Sequence, residues 1–144
     1  MADIPALPTH LTLEIVTPDR SVIAEKVDEV DIPGADGYFG VLPGHTPLLA
    51  MLKAGELWYR KGSEKYYLLI AFGFAEVLPD RVTILAEIAE RPEEIDIARA
   101  EAAKRRAEER IAKPSADVDV ERAQIALVKS IVRLQVSARA RTRV

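Results

Sequence analysis

The sequence predicts a mainly β protein with an α-helical ending: an N-terminal β-sandwich of about ten strands over residues 1–89, then a two-helix antiparallel hairpin over residues 90–144. Three observations predict it. Short runs of alternating apolar and polar residues recur from Leu11 to Glu87, separated by turn signals. The pattern changes at Glu90, after which apolar residues return every third or fourth position. The helical text is broken once, by Lys113-Pro114-Ser115-Ala116, a reversal rather than a linker.

The strands follow in order. Leu11, Leu13 and Ile15 alternate with Thr12, Glu14 and Val16, and Thr17-Pro18-Asp19-Arg20 is turn chemistry. The runs 22–25 and 26–32 continue the alternation. The stretch from Pro33 to Leu49 then carries glycines at 34, 37, 40 and 44, with prolines on both sides of His45, which excludes an uninterrupted helix. It reads as a turn, a short strand from Tyr38 to Leu42, and an exposed loop. Neither G-x-G-x-x-G nor a Gly-Lys-Ser/Thr ending is present, so it is no phosphate cradle. Residues 47–52 form the next strand, 56–60 and 65–70 a hairpin around Lys61-Gly62-Ser63-Glu64, and 72–78 and 81–88 a second around Pro79-Asp80.

Pro92, with Glu93 and Glu94 at the positive end of the dipole, predicts a helix running to Ala112. Its core face carries alanines, at 98, 100, 102, 103, 107 and 112, with no Leu, Met or aromatic. Each contributes one methyl, worth about 0.8 kcal/mol when buried, so the helix packs closely but weakly, as a movable element must. Asp117 can cap a second helix from Val118 to about Ser137, with a stripe at Val120, Ala123, Leu127, Ile131 and Leu134. Asp96, Arg99, Arg106 and Arg110 fall on one side of the first helix, and Arg122, Lys129 and Arg133 on one side of the second. Facing one another, these cations repel unless an anion or an acidic surface meets them.

Residues 1–89 hold 13 Asp/Glu against 7 Lys/Arg, whereas residues 122–144 hold six Lys/Arg and no acid. A basic end calls for an acidic partner or a solvated face, and nucleic acid has to be weighed. There is no cysteine, hence no disulfide and no thiolate chemistry. His10 and His45 are too few for an imidazole metal site, so no metal ligand is assigned. The start of the chain has no secretory signal pattern and no run is long enough to span a membrane, which predicts a soluble protein.

The run Gly37-Tyr38-Phe39-Gly40-Val41-Leu42-Pro43-Gly44-His45-Thr46-Pro47-Leu48, then Val82-Thr83-Ile84-Leu85-Ala86-Glu87, then Glu93-Glu94-Ile95-Asp96-Ile97-Ala98-Arg99-Ala100 and an Arg/Ala-bearing last helix, resembles the epsilon-subunit family of F-type ATP synthases over about Leu11 to Leu134. The resemblance implies a ten-stranded sandwich with a two-helix C-terminal domain. It implies a non-catalytic rotor subunit of the proton-translocating synthase, peripheral at the cytoplasmic face of the bacterial cell membrane and touching the membrane only through the complex. The sandwich would bind the gamma subunit and the c-ring through Tyr38, Gly40, Leu42, Pro43 and His45. The helices would restrain ATP hydrolysis by reaching into the alpha/beta hexamer, where Arg122, Lys129 and Arg133 meet an acidic beta-subunit segment. No cofactor is required, but in some bacterial members the folded hairpin binds ATP through an Ile/Leu-Asp-x-x-Arg-Ala motif. Ile95, Asp96, Arg99 and Ala100 match that motif here, with Arg106 and Arg133 as further cations. Four departures stand out: Lys129 where an arginine is expected, Tyr38 for an acidic residue, Phe72 where glycine is common, and a tail bearing Arg139, Arg141 and Arg143.

Two other classes are open at this point. An enzyme in its own right lacks a Ser/His/Asp set, zinc spacing or a Walker loop, so no catalytic residue is assigned. A stand-alone nucleotide-sensing or nucleic-acid-binding module would use the cations from Arg122 to Arg143. That tail has no interleaved aromatics on which bases stack, which argues for no nucleic-acid partner.

Overall fold

The computed structural model describes residues 6–142, with side chains through residue 140; Arg141 and Arg143 of the expected tail lie outside the described side chains. Eight strands are present among the described residues: β1 (Leu11–Val16), β2 (Ser21–Val27), β3 (Glu29–Gly34), β4 (Gly37–Val41), β5 (Leu48–Leu52), β6 (Gly55–Lys61), β7 (Glu64–Leu78) and β8 (Arg81–Glu90). They pair in the order β2-β1-β8-β7-β5-β3-β4, with β6 bridging β3 and β7. All pairings are antiparallel except β1 with β8.

The expected alternation places the core. In β1, Leu11, Leu13 and Ile15 are buried while Thr12, Glu14 and Val16 are half-buried. Their inward side chains join those of the other strands, Leu57, Ile70, Val77 and Ile84 among them, in one cluster of twenty buried residues. The break between the second and third strands falls at Asp28 rather than after Glu25.

The count falls below ten partly because the two runs 65–70 and 72–78 are a single strand. β7 gives its first half to β6, Glu64–Ile70, and its second half to β5, Gly73–Val77, so the strand turns a corner without ending. The corner is Phe72, at φ +60°, followed by Gly73 at φ +114°. A Cβ on Gly73 would lie 1.9 Å from the Leu85 carbonyl oxygen of the neighbouring strand, so only glycine fits. Phe72, which departs from the glycine common in its place, sits in the left-handed region that an L-residue occupies at a cost of about 1 kcal/mol.

Both helices start later than the sequence suggested. Pro92–Glu94 form one 3₁₀ turn, and α1 (Ile97–Ala112) begins only after Asp96, whose carboxylate accepts the N–H of Arg99 at 3.0 Å. A capping carboxylate satisfies an orphan donor, which outweighs the proline signal four residues earlier. For the same reason α2 (Val120–Thr142) is capped by Asp119, which accepts from Arg122 N–H at 3.1 Å, and not by Asp117.

The helices pack on each other through Ala100, Ala107 and Ala123, all buried. α2 lies on the outer face of β6 and β7, where Val132 and Val136 meet Leu69, Ile95 and Ile88. Two ion pairs flank this small seam: Arg133 with Glu90, and Arg139 with Glu56. No helix among the described residues is long and apolar enough to cross a membrane.

Candidate functional site

The first site is the groove where α1, α2 and the end of β8 converge. Capping by Asp96 fixes the first turn of α1, so Arg99 and, two turns on, Arg106 fall on the same side of the helix as Ala103. With Glu90, Glu94, Asp96, Ala100 and Arg133 they line an open groove of about 370 Å³. Five of the six residues expected to hold a nucleotide are therefore together: Asp96, Arg99, Ala100, Arg106 and Arg133. Ile95 is elsewhere; it is buried in the seam between α2 and the sandwich, so its part is to seat the groove rather than to line it.

Electrostatically the groove is divided. Arg133 turns its guanidinium fork on Glu90, with Nη2 3.0 Å from Oε1 and Nε 3.3 Å from both oxygens. Glu94 accepts from Arg20 Nη2 at 2.8 Å and from the Arg91 N–H at 3.0 Å. The Arg20 hydrogen bond holds its carboxyl below the usual carboxylate range, although partial burial works against it. Arg99 and Arg106 make no salt bridge among the described residues. A polyanion entering here meets two cations directly and a third on breaking the Glu90 pair. The sequence did not disclose Glu90 or Glu94 as part of the groove, because their proximity to Arg133 and Arg20 is set by sheet and helix packing across 43 and 74 residues.

Lys129 and Arg122 lie apart from this groove. Arg122 lines a second hollow at the far end of the hairpin with Arg110, Asp117 and Asp119, and Lys129 is half-buried on α2 between the two.

The second site is the loop end of the sandwich. Gly44, at φ +88°, turns the chain so that its N–H reaches the Pro79 carbonyl at 2.7 Å. His45 Nδ1 donates to the Thr46 carbonyl at 2.6 Å, which fixes the ring against the loop. Tyr38, Gly40 and Leu42 are exposed and Pro43 half-buried. Tyr38 is tied down on both sides: its hydroxyl accepts the Glu56 N–H at 3.2 Å, and Lys53 Nζ stands 4.7 Å over its ring.

Next to this loop the sandwich exposes apolar surface that the sequence reading passed over. Met51 pairs with Phe74 and Phe74 with Leu85, a row crossing three strands on the outer face. Met51 is 62% exposed, Phe74 48% and Leu85 54%, and Leu49 beside them 70%. Contiguous apolar exposure of this kind marks an interaction surface. Its sequence signal is the unalternating run Leu48-Leu49-Ala50-Met51-Leu52, apolar on both faces of a strand that the fold leaves largely exposed.

Both parts of the chain are similar to known proteins. Residues 10–92 match the model of the ATP synthase delta/epsilon chain β-sandwich domain, and residues 93–138 that of its long α-helix domain. An ATP synthase epsilon chain of Syntrophotalea carbinolica is 52% identical over 130 residues, covering 90% of this chain and 94% of its own length. One from Koribacter versatilis is 59% identical over 98 residues, 68% of this chain and 69% of its own. Among solved structures, a chain of the Euglena gracilis mitochondrial ATP synthase, in a structure of OSCP, F1 and c-ring, superposes with a TM-score of 0.81 at 27% identity, covering 93% of this chain and 84% of its own. The chain belongs to the ATP synthase delta/epsilon family, as an epsilon chain, a structural rather than a catalytic subunit.

Proposed function

We propose that this chain is a central-stalk rotor subunit of a proton-translocating ATP synthase, in which the sandwich couples F1 to the c-ring and the hairpin restrains ATP hydrolysis. The solved relative lies in an assembly of F1 and c-ring, which supports that placement. The exposed row Met51, Phe74, Leu85 with Leu49 is the surface we assign to the gamma subunit, and the loop of Leu42, Pro43 and His45 the one we assign to gamma or the c-ring. The membrane is reached only through the complex, at the cytoplasmic face in a bacterium. The basic residues Arg122, Lys129 and Arg133 are assigned to an acidic segment of the alpha/beta hexamer. We assign no nucleic-acid role: Arg133 and Arg139 are engaged with carboxylates of the sandwich, which lowers the field available to a phosphate backbone.

The observation that carries the regulatory part is the thin seam. The hairpin meets the sandwich through Val132, Val136, Ile95 and Leu69, with salt bridges at its edge, so a modest competing interaction moves it. Removing residues 90–144 is expected to leave gamma binding in place and to raise ATP hydrolysis by the reassembled complex; unchanged hydrolysis overturns the inhibitory role. The same reading makes the groove a regulatory ATP site, with Arg99 and Arg106 on the phosphates. Titration calorimetry with ATP and Mg²⁺ is expected to show weaker binding by Arg99→Ala than by Arg110→Ala, since Arg110 lies outside the groove. No heat from the intact chain at millimolar ATP removes the sensor.

A further inference from the structure

The long-helix match ends at residue 138, whereas α2 continues to Thr142. The first residue beyond the match, Arg139, grips the sandwich in two ways. Its Nη2 lies 3.0 Å from Glu56 Oε1 and its Nε 3.3 Å from Oε2, a forked pairing. Its Cζ stands 4.3 Å from the centre of the Tyr67 ring. Glu56 faces Leu69 across β6 and β7, and Tyr67 is two residues before Leu69 on the same face, so carboxylate and ring flank the apolar seam that α2 covers. The Glu56 side chain is only 16% exposed, so the pairing is sheltered at one end. The Glu56 main chain is held in turn by Tyr38, whose hydroxyl accepts its N–H.

We propose that Arg139 is the latch that sets how often the hairpin leaves the sandwich, and that Tyr38 is a positioning residue connecting that latch to the loop end. The inference rests on the reading of the hairpin as a movable arm. A planar guanidinium can pair with Glu56 through two N–H groups and lie over Tyr67 at once; a lysine ammonium cannot. An interaction on Tyr38 by a partner at the loop end therefore shifts the strand residue on which the latch closes.

The chain contains no cysteine, so one introduced thiol reports opening without background. Val132→Cys places it in the seam, where the native side chain is 8% exposed; Ala75→Cys, at 0%, places it in the sandwich core as the control for global unfolding. Labelling rates with a thiol reagent in excess give the open fraction at each place. We expect the Val132→Cys thiol to label faster than the Ala75→Cys thiol. Adding Arg139→Ala or Glu56→Gln is expected to accelerate seam labelling roughly three- to tenfold without changing the core rate. Arg139→Lys recovers part of the difference. Tyr38→Phe gives a smaller acceleration alone and none on top of Arg139→Ala, which a purely local role for Tyr38 does not produce. If the seam opens ahead of the core but Arg139→Ala leaves its rate unchanged, the latch is overturned and the movable arm stands. If seam and core label at one rate, the movable arm is overturned and the latch with it.

Discussion

The sandwich and the hairpin are held by different means. Twenty buried side chains, mostly Leu, Ile and Val, interlock in the sandwich, while Leu69, Ile95, Val132 and Val136 make up the cluster between sandwich and α2. At about 25 cal/mol for each Å² of apolar surface, the first cluster carries the stability of the domain and the second a minor share. What the seam lacks in apolar burial it replaces with charge, at Arg133–Glu90 and Arg139–Glu56. Charged contacts release with salt or a competing ion, and buried aliphatic contacts do not. The sandwich is therefore held mainly by apolar burial, and the hairpin's seat on it draws a larger share from charge.

The largest expected effects set the two regions directly against each other. Leu13→Ala, at a fully buried position of β1, is expected to cost about 3–4 kcal/mol and to lower amide protection throughout β1, β7 and β8. Val136→Ala removes two equally buried methyls and is expected to cost about 2 kcal/mol, confined to amides of α1 and α2. Hydrogen exchange of the intact chain separates them. A loss of sandwich protection in Val136→Ala equal to that of the helices means that the two regions unfold as one.

The sandwich was legible where its residues alternate. Leu11, Leu13 and Ile15 declared β1 and its buried face, and Pro79-Asp80 declared the β7–β8 turn. It was illegible at Phe72-Gly73, where a glycine after an aromatic reads as a boundary but is a corner inside a fifteen-residue strand. In the hairpin, the residues from Asp96 to Ala100 are adjacent in sequence, yet the pattern offers two helix starts, Pro92 with its acids and Asp96 as a cap, and local propensity does not choose between them. The acids that divide the groove, Glu90 and Glu94, depend on pairings across the fold and leave no trace in local spacing. The corner offers the next, smaller test. Phe72→Gly relieves about 1 kcal/mol of left-handed strain but gives the unfolded chain a comparable entropy, and loses a half-buried ring. Its unfolding free energy is therefore expected to stay within about 1 kcal/mol of the parent, whereas a drop like that of Leu13→Ala means that the ring itself holds the corner.

The smallest expected effect probes the strap between the two regions. Glu94 accepts the Arg91 N–H and is reached by Arg20 from the β1–β2 turn, so residues 91–94 are tied to the sandwich and the movable arm proposed above begins beyond them, near Ile95 and Asp96. The Arg20 hydrogen bond, with smaller help from Arg91, depresses the Glu94 pKa below that of the unfolded chain, about 4.3. A carboxyl whose folded pKa is the lower one favours the folded state at any pH above the unfolded value, and that contribution disappears as the pH falls through the folded value. Glu94→Gln is accordingly expected to lower the urea midpoint slightly at neutral pH, and the gap to the parent is expected to close on acidification below about pH 4. A gap that persists unchanged in acid assigns the effect to the shape of the side chain. A gap confined to helix signals, with the sandwich unaffected, places the strap on the moving side and moves the hinge back toward Glu90.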